Sequence, residues 1–92
     1  MNLIIQRSFY LKLDRQLKYI AFDKPSAAHK FRKDIFVKIK EIPSRPMSYK
    51  KSDFFEDERF REMIFKGYRV VFEIRKDLIS VFAFHKWEDD LK

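Results

Sequence analysis

The segment of residues 60–85 constrains the fold of this chain more than any other part of the sequence. Short runs rich in Val, Ile and Phe are separated there by polar breaks at residues 66–68 and 76–77. Strands of this length and composition, joined by tight turns, are typical of an antiparallel meander. The sequence therefore predicts three consecutive β-strands in this segment.

The turn around Gly67 decides which side chains of the first two strands share a face, because side chains alternate along a strand. A turn centred on Gly67 places Arg61 and Arg69 on one face, together with Met63, Phe65, Val71 and Glu73. The predicted core face is the apolar one, with Phe60, Ile64, Val70, Phe72 and Ile74, joined by Ile79, Val81 and Ala83 of the third strand. A two-residue turn would instead put Arg61 and Arg69 on opposite faces.

Two amphipathic helices are predicted before the meander. Apolar residues recur at spacings of three and four within residues 9–20 and again within residues 28–42, and this is the pattern of a helix with one buried face. Ser8 and Ser26 are the predicted N-caps. A connection of about four residues, ending at Pro25, predicts an antiparallel hairpin whose apolar stripe covers the core face of the sheet.

The order of elements predicts the fold class. A strand over residues 2–6 precedes the helical hairpin and is expected to pair at or beside the last strands. The prediction is an α+β fold of two layers: an N-terminal strand, an antiparallel helical hairpin, then a three-stranded antiparallel meander. The 92 residues suffice for a single domain, residues 1–92.

Composition limits the environment and the partners. The chain has no cysteine, so neither a disulfide nor a thiolate metal site can form. No apolar run approaches the ~20 residues of a membrane span, and a cytoplasmic protein without a membrane partner is expected. The net charge of +7, from 21 Lys and Arg against 14 Asp and Glu, favours an anionic partner such as nucleic acid, the ribosome or an acidic protein segment. A basic surface that serves only solubility is the alternative.

Several motifs occur in an order that resembles the RelE/ParE superfamily of bacterial toxins. They are the opening of the second helix, PSAAHKFRKDIFVKIKEI; the hairpin FREMIFKGYRVVFEI with Arg61 and the pair Tyr68-Arg69; and the strand SVFAFH, which ends in a histidine. The resemblance covers nearly the whole chain. It implies a growth-inhibiting toxin of a type II toxin–antitoxin system, neutralised by a cognate antitoxin protein.

The superfamily has two branches, and the resemblance leaves both open. RelE-like members are endoribonucleases that cut messenger RNA, usually on the ribosome, whereas ParE-like members inhibit DNA gyrase without nuclease chemistry. We expect mRNA cleavage, a ribosome-associated activity, as the first function and gyrase inhibition as the alternative. A non-toxic homologue that only binds nucleic acid is the third possibility.

The first function requires groups that hold a phosphate and move protons, without metal or cofactor. The predicted catalytic residues are Arg69, Arg61 and His85. The resemblance implies a catalytic or phosphate-binding arginine at Arg69 and a basic residue close to Arg61, and the predicted common face lets both arginines reach one phosphate. His85, near where some nuclease members carry a histidine, is the candidate general acid or base. Further phosphate contacts are expected from three lysines, Lys50, Lys51 and Lys66. Several of these residues also have a structural interpretation: Arg61 as the partner of Glu73 in a cross-strand ion pair, His85 at a sheet end, and Lys50 and Lys51 as solvated loop charges. Trp87 is predicted to pack over the core edge or to stack on a base.

Overall fold

A computed structural model of the protein describes residues 1–86, so the predicted role of Trp87 lies outside the described residues. The chain begins with strand β1 (Asn2–Ile5), followed by helices α1 (Arg7–Asp23) and α2 (Pro25–Glu41). Two short 3₁₀ turns, Ile42–Ser44 and Pro46–Ser48, lead to the two-residue strand β2 (Lys50–Lys51). The meander then follows as β3 (Phe60–Phe65), β4 (Tyr68–Arg75) and β5 (Leu78–Lys86).

The five strands form one mixed sheet in the order β1-β5-β4-β3-β2. Strand β1 pairs in parallel with β5, and the three other pairings are antiparallel. The predicted α+β class and the predicted place of the first strand are therefore confirmed. The helical hairpin carries the chain from β1 at one edge of the sheet to β2 at the other, and the meander then returns to place β5 beside β1. Among the described residues, no helix combines the length and the apolar character needed to cross a membrane.

The helical hairpin covers one face of the sheet and forms the core with it. Phe9 and Leu13 of α1 and Ile35 of α2 are fully buried, as are Phe72 and Val81 on the sheet. The prediction that the helices pack on the Phe72 face is thus confirmed. Aromatic rings hold the two layers together through edge-to-face contacts, a geometry that the ring quadrupole favours.

The predicted register of the first hairpin is wrong by one residue. Tyr68 belongs to β4, so the turn contains only Lys66 and Gly67, both with positive φ (47° and 83°), as in the two-residue turns that match the twist of a hairpin. Arg61 lies opposite Phe72 and Ile64 lies opposite Arg69. A slip of one residue moves every side chain of a strand to the other face.

The slip changes the face of the β3 residues and leaves most of β4 and β5 as predicted. Met63 and Phe65 are buried on the helix-covered face, while Phe60 and Ile64 lie on the other face. A bulge between Val71 and Phe72 also shifts the β4–β5 register. As a result Ala83 pairs with Val71 on the face away from the helices, and its predicted place in the core is wrong.

The helix starts also differ from the prediction. Gln6 and Lys24 occupy the N-cap positions, and neither makes a side-chain cap hydrogen bond. Ser8 lies inside α1 and donates a hydrogen bond of 2.6 Å to the carbonyl oxygen of Phe82, which ties α1 to β5. Pro25 is the first residue of α2, a position where its missing N–H costs no helical hydrogen bond. Lys24 alone therefore connects the two helices.

Candidate functional site

The face of the sheet away from the helices, here called the outer face, carries Arg69 at its centre. The arginine is buried although it lies outside the main core, and only 8% of its side chain is exposed. Its Nη1 atom donates to Oε1 of Glu62 at 2.9 Å and to Oδ2 of Asp53 at 3.2 Å. The guanidinium is thus engaged by two carboxylates.

Glu62 is the most enclosed member of this cluster, with a fully buried side chain. Its Oε2 accepts hydrogen bonds from Ser52 Oγ at 3.0 Å and from the backbone N–H of Asp53 at 3.3 Å. Lys50 Nζ lies 3.9 Å from Oε1. A buried carboxylate is tolerated only when charge and hydrogen-bond partners surround it, and here β2, β4 and the segment after β2 supply them.

Asp53 extends the cluster to the surface. Hydrogen bonds from Lys50, at 2.8 Å, and then from Arg69 hold the pKa of the Asp53 carboxyl below its usual value. Lys50, predicted to bind substrate, is therefore engaged by an aspartate of its own segment. The charges of Lys50 and Arg69 are balanced by Asp53 and Glu62, and no excess positive charge remains in this cluster.

Residues 52–59, here called the outer loop, fold over the outer face with two phenylalanines. The Phe54 ring lies 5.1 Å from the His85 ring, and the guanidinium carbon of Arg69 lies 5.6 Å from the centre of the Phe54 ring. Phe55 stacks on Phe60 at 4.1 Å. The predicted open face is therefore partly covered by the loop.

Arg61 points to the opposite face from Arg69, so the predicted pair of guanidinium groups on one phosphate is not formed. Its Nε donates to the carbonyl oxygen of Glu58 at 2.9 Å and its Nη1 to that of Tyr49 at 3.1 Å. These bonds attach Arg61 of β3 to the residue before β2 and to a residue near the end of the outer loop. The alternative pairing of Arg61 with Glu73 is also wrong, because Phe60 lies opposite Glu73.

His85 lies directly across from Arg69 on the neighbouring strand, and the two residues share the outer face. Lys51 is exposed and lies opposite Arg61, apart from the Arg69 cluster. Lys66 sits in the hairpin turn, and its Nζ lies 3.6 Å from a carboxylate oxygen of Asp34 on α2. The structure thus brings together Arg69, His85 and Lys50 and leaves the other predicted site residues elsewhere; their roles in function stay predictions.

The sequence interpretation missed Glu62, Asp53 and Phe54 as members of this cluster. Glu62 was a detectable signal, because it is the one acidic residue within the apolar strand β3. An acid at such a place needs a cationic partner, and a two-residue turn would have pointed to Arg69. Within residues 1–86, no three His, Cys, Asp or Glu side chains gather in a way that would hold a metal ion.

Comparison with known families decides the membership of the chain. A family model described as the ParE toxin of type II toxin–antitoxin system, parDE, matches residues 3–90. The chain belongs to the ParE toxin family. A search of curated proteins finds no match.

A solved structure supports the same fold for this ParE-family chain. The structure, titled chromosomal ParDE TA system from P. aeruginosa, is similar with a TM-score of 0.77 and 18% sequence identity. The match covers 94% of this chain and 95% of the other. At this identity the likeness establishes the architecture, and the Arg69 cluster of this ParE-family protein has to be interpreted from its own residues.

Proposed function

We propose that this protein is a growth-arresting toxin that acts by binding DNA gyrase, without cleaving RNA, and that a cognate antitoxin neutralises it. The match to the ParE family over residues 3–90 supports the toxin–antitoxin part of the proposal. The choice of gyrase rests on the ParE branch of the superfamily and on the geometry around Arg69. Cytoplasmic action follows from the proposed target.

The observation that carries the choice is the state of the two arginines. A nuclease of the expected kind needs guanidinium groups that face a phosphate. Here Arg69 is held by Glu62 and Asp53, and Arg61 lies on the other face, bound to backbone carbonyls. A phosphate placed on Arg69 would meet two carboxylates within contact distance, and like charges at about 4 Å repel by several kcal/mol near a protein surface.

One observation favours the nuclease as a second candidate. Arg69 and His85 are cross-strand neighbours on the outer face, so a phosphate-binding cation and a titratable group lie side by side. For this arrangement to act on RNA, the Phe54 ring would have to leave its place against His85 and Arg69. The second candidate therefore requires movement of the outer loop.

Induction in bacteria separates the proposed functions in one experiment. Cells that express the protein are sampled for viable count, for transcript ends by primer extension, and for the supercoiling of a reporter plasmid. Gyrase inhibition predicts growth arrest with relaxed or broken plasmid and intact transcripts. Cut transcripts with normal supercoiling would refute the proposal in favour of the nuclease. Normal growth would refute both toxin functions and leave a non-toxic homologue as the remaining interpretation.

Histidine variants sharpen the distinction between the two toxins. His85→Ala removes the only histidine beside Arg69, and His29→Ala removes the exposed histidine of α2 as a matched control. A nuclease that uses His85 should lose transcript cleavage in the first variant alone. A gyrase-binding toxin should produce no transcript cleavage in either variant or in the parent. Thermal unfolding of both variants checks that the fold is kept.

A further inference from the structure

A groove with three cations lies on the helical side of the sheet, where the end of β1 meets α1 and α2. Arg32, Lys33 and Lys40 of α2 line it, and its volume is about 420 Å³. The rest of its lining is formed by Ile5, Tyr10, Phe36 and Val37. This surface, here called the β1–α2 groove, shares no residue with the Arg69 cluster on the outer face.

The periodicity of α2 places part of the lining in one row. Lys33, Val37 and Lys40 follow one another at spacings of four and three, so their side chains lie on the same side of the helix. The two lysines are seven positions apart, which is about 10 Å at a rise of 1.5 Å per residue. Val37 between them is 51% exposed, and both lysines are exposed as well. The row is therefore open to solvent.

Aromatic rings form another wall of the groove. The Tyr10 and Phe36 rings are stacked 5.9 Å apart, with an angle of 30° between their planes. Phe9, which is fully buried, meets both rings edge-on. The stack is thus anchored in the core, while Tyr10 is 37% exposed and can contact a ligand.

A cation–π contact positions Arg32 and leaves its N–H groups available. The guanidinium carbon of Arg32 lies 4.8 Å from the centre of the Phe36 ring, and a cation is attracted to the face of such a ring. Within residues 1–86, the Arg32 side chain makes no hydrogen bond or ion pair. Its planar fork of donors can therefore bind two oxygens of a phosphate group.

The positive charge of the groove is not balanced by carboxylates. In the part of the chain that the structure describes, no acidic side chain lines the groove, and neither Lys33 nor Lys40 forms an ion pair. Residues 7–41, which include both helices, hold ten Lys and Arg against four Asp and Glu, a net charge of +6 out of the +7 of the whole chain. This distribution favours an anionic partner for the groove.

The combination of cations and aromatic rings selects among anionic partners. Proteins that bind single-stranded nucleic acid combine a positive groove, which follows the phosphates, with aromatic side chains on which bases stack. The row of lysines and the ring of Tyr10 supply both elements. The volume of about 420 Å³ lies within the roughly 300–1,000 Å³ of ligand pockets, so a base and its phosphate can enter together.

We propose that the β1–α2 groove binds a single strand of nucleic acid, with phosphates on Arg32, Lys33 and Lys40 and a base on the ring of Tyr10. The binding does not depend on base sequence, because every base has a π face. The proposal concerns the helical side of the molecule and stands independently of the function proposed above.

Fluorescence anisotropy with a labelled thymidine strand of about twelve nucleotides, within the usual range of site sizes, tests the proposal. Three unlabelled competitors of equal length are compared: the same strand, a strand of abasic sugar phosphates, and a peptide of glutamates. The abasic strand keeps the phosphates and lacks the stacking, so it should bind at least about fivefold more weakly than the thymidine strand. The peptide should bind more weakly still.

Two lysine variants with the same change of charge locate the phosphate contacts. Lys33→Gln/Lys40→Gln removes two cations from the groove, whereas Lys18→Gln/Lys38→Gln removes two exposed lysines that do not line it. Glutamine has nearly the helix propensity of lysine, so both proteins should stay folded. Each phosphate contact with a single strand contributes about −0.7 to the slope of log K against log salt. The groove variant should reduce that slope by about 1.4, and the control should change it much less.

A pair of tyrosine variants locates the stacking contact. Tyr10→Leu keeps an apolar side chain against Phe36 and removes the ring, and Tyr19→Leu makes the same change at an exposed tyrosine of α1 outside the groove. The first should weaken binding of the thymidine strand by about fivefold or more and leave binding of the abasic strand unchanged. The second should change neither. Thermal unfolding checks that all four variants are folded.

Three results would overturn the proposal. Equal losses in the groove variant and its lysine control would indicate only general attraction to a basic protein. Abasic and thymidine strands that bind equally would exclude the stacking contact. A glutamate peptide that binds more tightly than the thymidine strand, and loses affinity in Lys33→Gln/Lys40→Gln, would make the groove a docking site for an acidic protein segment.

Discussion

The Arg69–Glu62 ion pair allows the cost of a lone buried charge to be measured in this protein. The two side chains are 8% and 0% exposed, and their closest atoms are 2.9 Å apart. Three proteins are compared with the parent: Glu62→Leu, Arg69→Met, and the double variant. Each single change leaves one charge without its main partner, while the double change removes both charges.

The structure sets the expected magnitudes. Breaking a buried pair by removing one partner costs roughly 3–5 kcal/mol. We expect about 3 kcal/mol for each single change, the lower end of that range, because Asp53 still faces Arg69, and because Ser52 and Lys50 still face Glu62. The double variant should lie within about 1 kcal/mol of the parent, since apolar replacements of similar volume are often neutral.

Urea unfolding followed by circular dichroism measures these free energies, with an unchanged m-value as the sign that the unfolded state is comparable. A small domain has a total stability of about 5–15 kcal/mol, so the single variants should unfold at a much lower urea concentration than the parent. The exposed pair Asp57–Arg59, at 2.8 Å, serves as a control and should show no comparable coupling. Additive losses at Arg69 and Glu62 would refute the reasoning that burial makes this pair interdependent.

Three further predictions concern pH, the hairpin turn and the core. The pKa of the Asp53 carboxyl is lowered in the fold, so its contribution to the free energy of unfolding is present above the usual aspartate pKa of about 4 and is lost as pH falls. Urea unfolding at several pH values should therefore show a smaller loss of stability in acid for Asp53→Asn than for the parent. Gly67→Ala should cost about 1 kcal/mol in the same assay, from the positive φ alone, because no atom lies within 4 Å of the added Cβ; Lys66→Asn, which suits this turn, should not destabilise. Phe72→Ala should lower the free energy of unfolding by about 3–5 kcal/mol, and Ile64→Ala, on a side chain 48% exposed, by much less.

The Arg69–Glu62 pair also changes how mutations of Arg69 should be interpreted. If Arg69→Ala abolished growth arrest, the loss could come from an unfolded protein, because the change leaves Glu62 buried without its main partner. The double variant Glu62→Leu/Arg69→Met, which is expected to stay folded, is the better test of a functional role. Retained toxicity in that variant would exclude Arg69 as a phosphate-binding residue.

The sequence predicted the layers of the fold because periodicity within one element needs no knowledge of its neighbours. The apolar spacing of α1 and α2 and the alternation within β4 each identified the buried side correctly. The pairing register between β3 and β4, in contrast, depended on the length of the turn that joins them. Whether Tyr68 belonged to the turn or to the strand was not decided by its residue type, since tyrosine also favours strands. That single ambiguity misplaced Arg61.

The candidate site was less predictable than the fold, because its members come from distant parts of the chain. Asp53 and Phe54 belong to a polar segment without periodicity, and only the folded outer loop brings them to Arg69. The cluster therefore depends on the path of the loop. Glu62 was predictable in principle, since its burial demanded a cation nearby.

The placement of neutralised charge indicates which side of the molecule attracts an anionic partner. The net charge is +7, yet on the outer face the carboxylates of Glu62 and Asp53 balance Arg69 and Lys50. The excess positive charge of the described chain must therefore lie mainly elsewhere, and α1 and α2 present most of their lysines and arginines to solvent. Long-range attraction depends on net local charge and is screened by salt over about 8–10 Å. An anionic partner is thus expected to approach the helical layer first, with an on-rate that falls as salt rises.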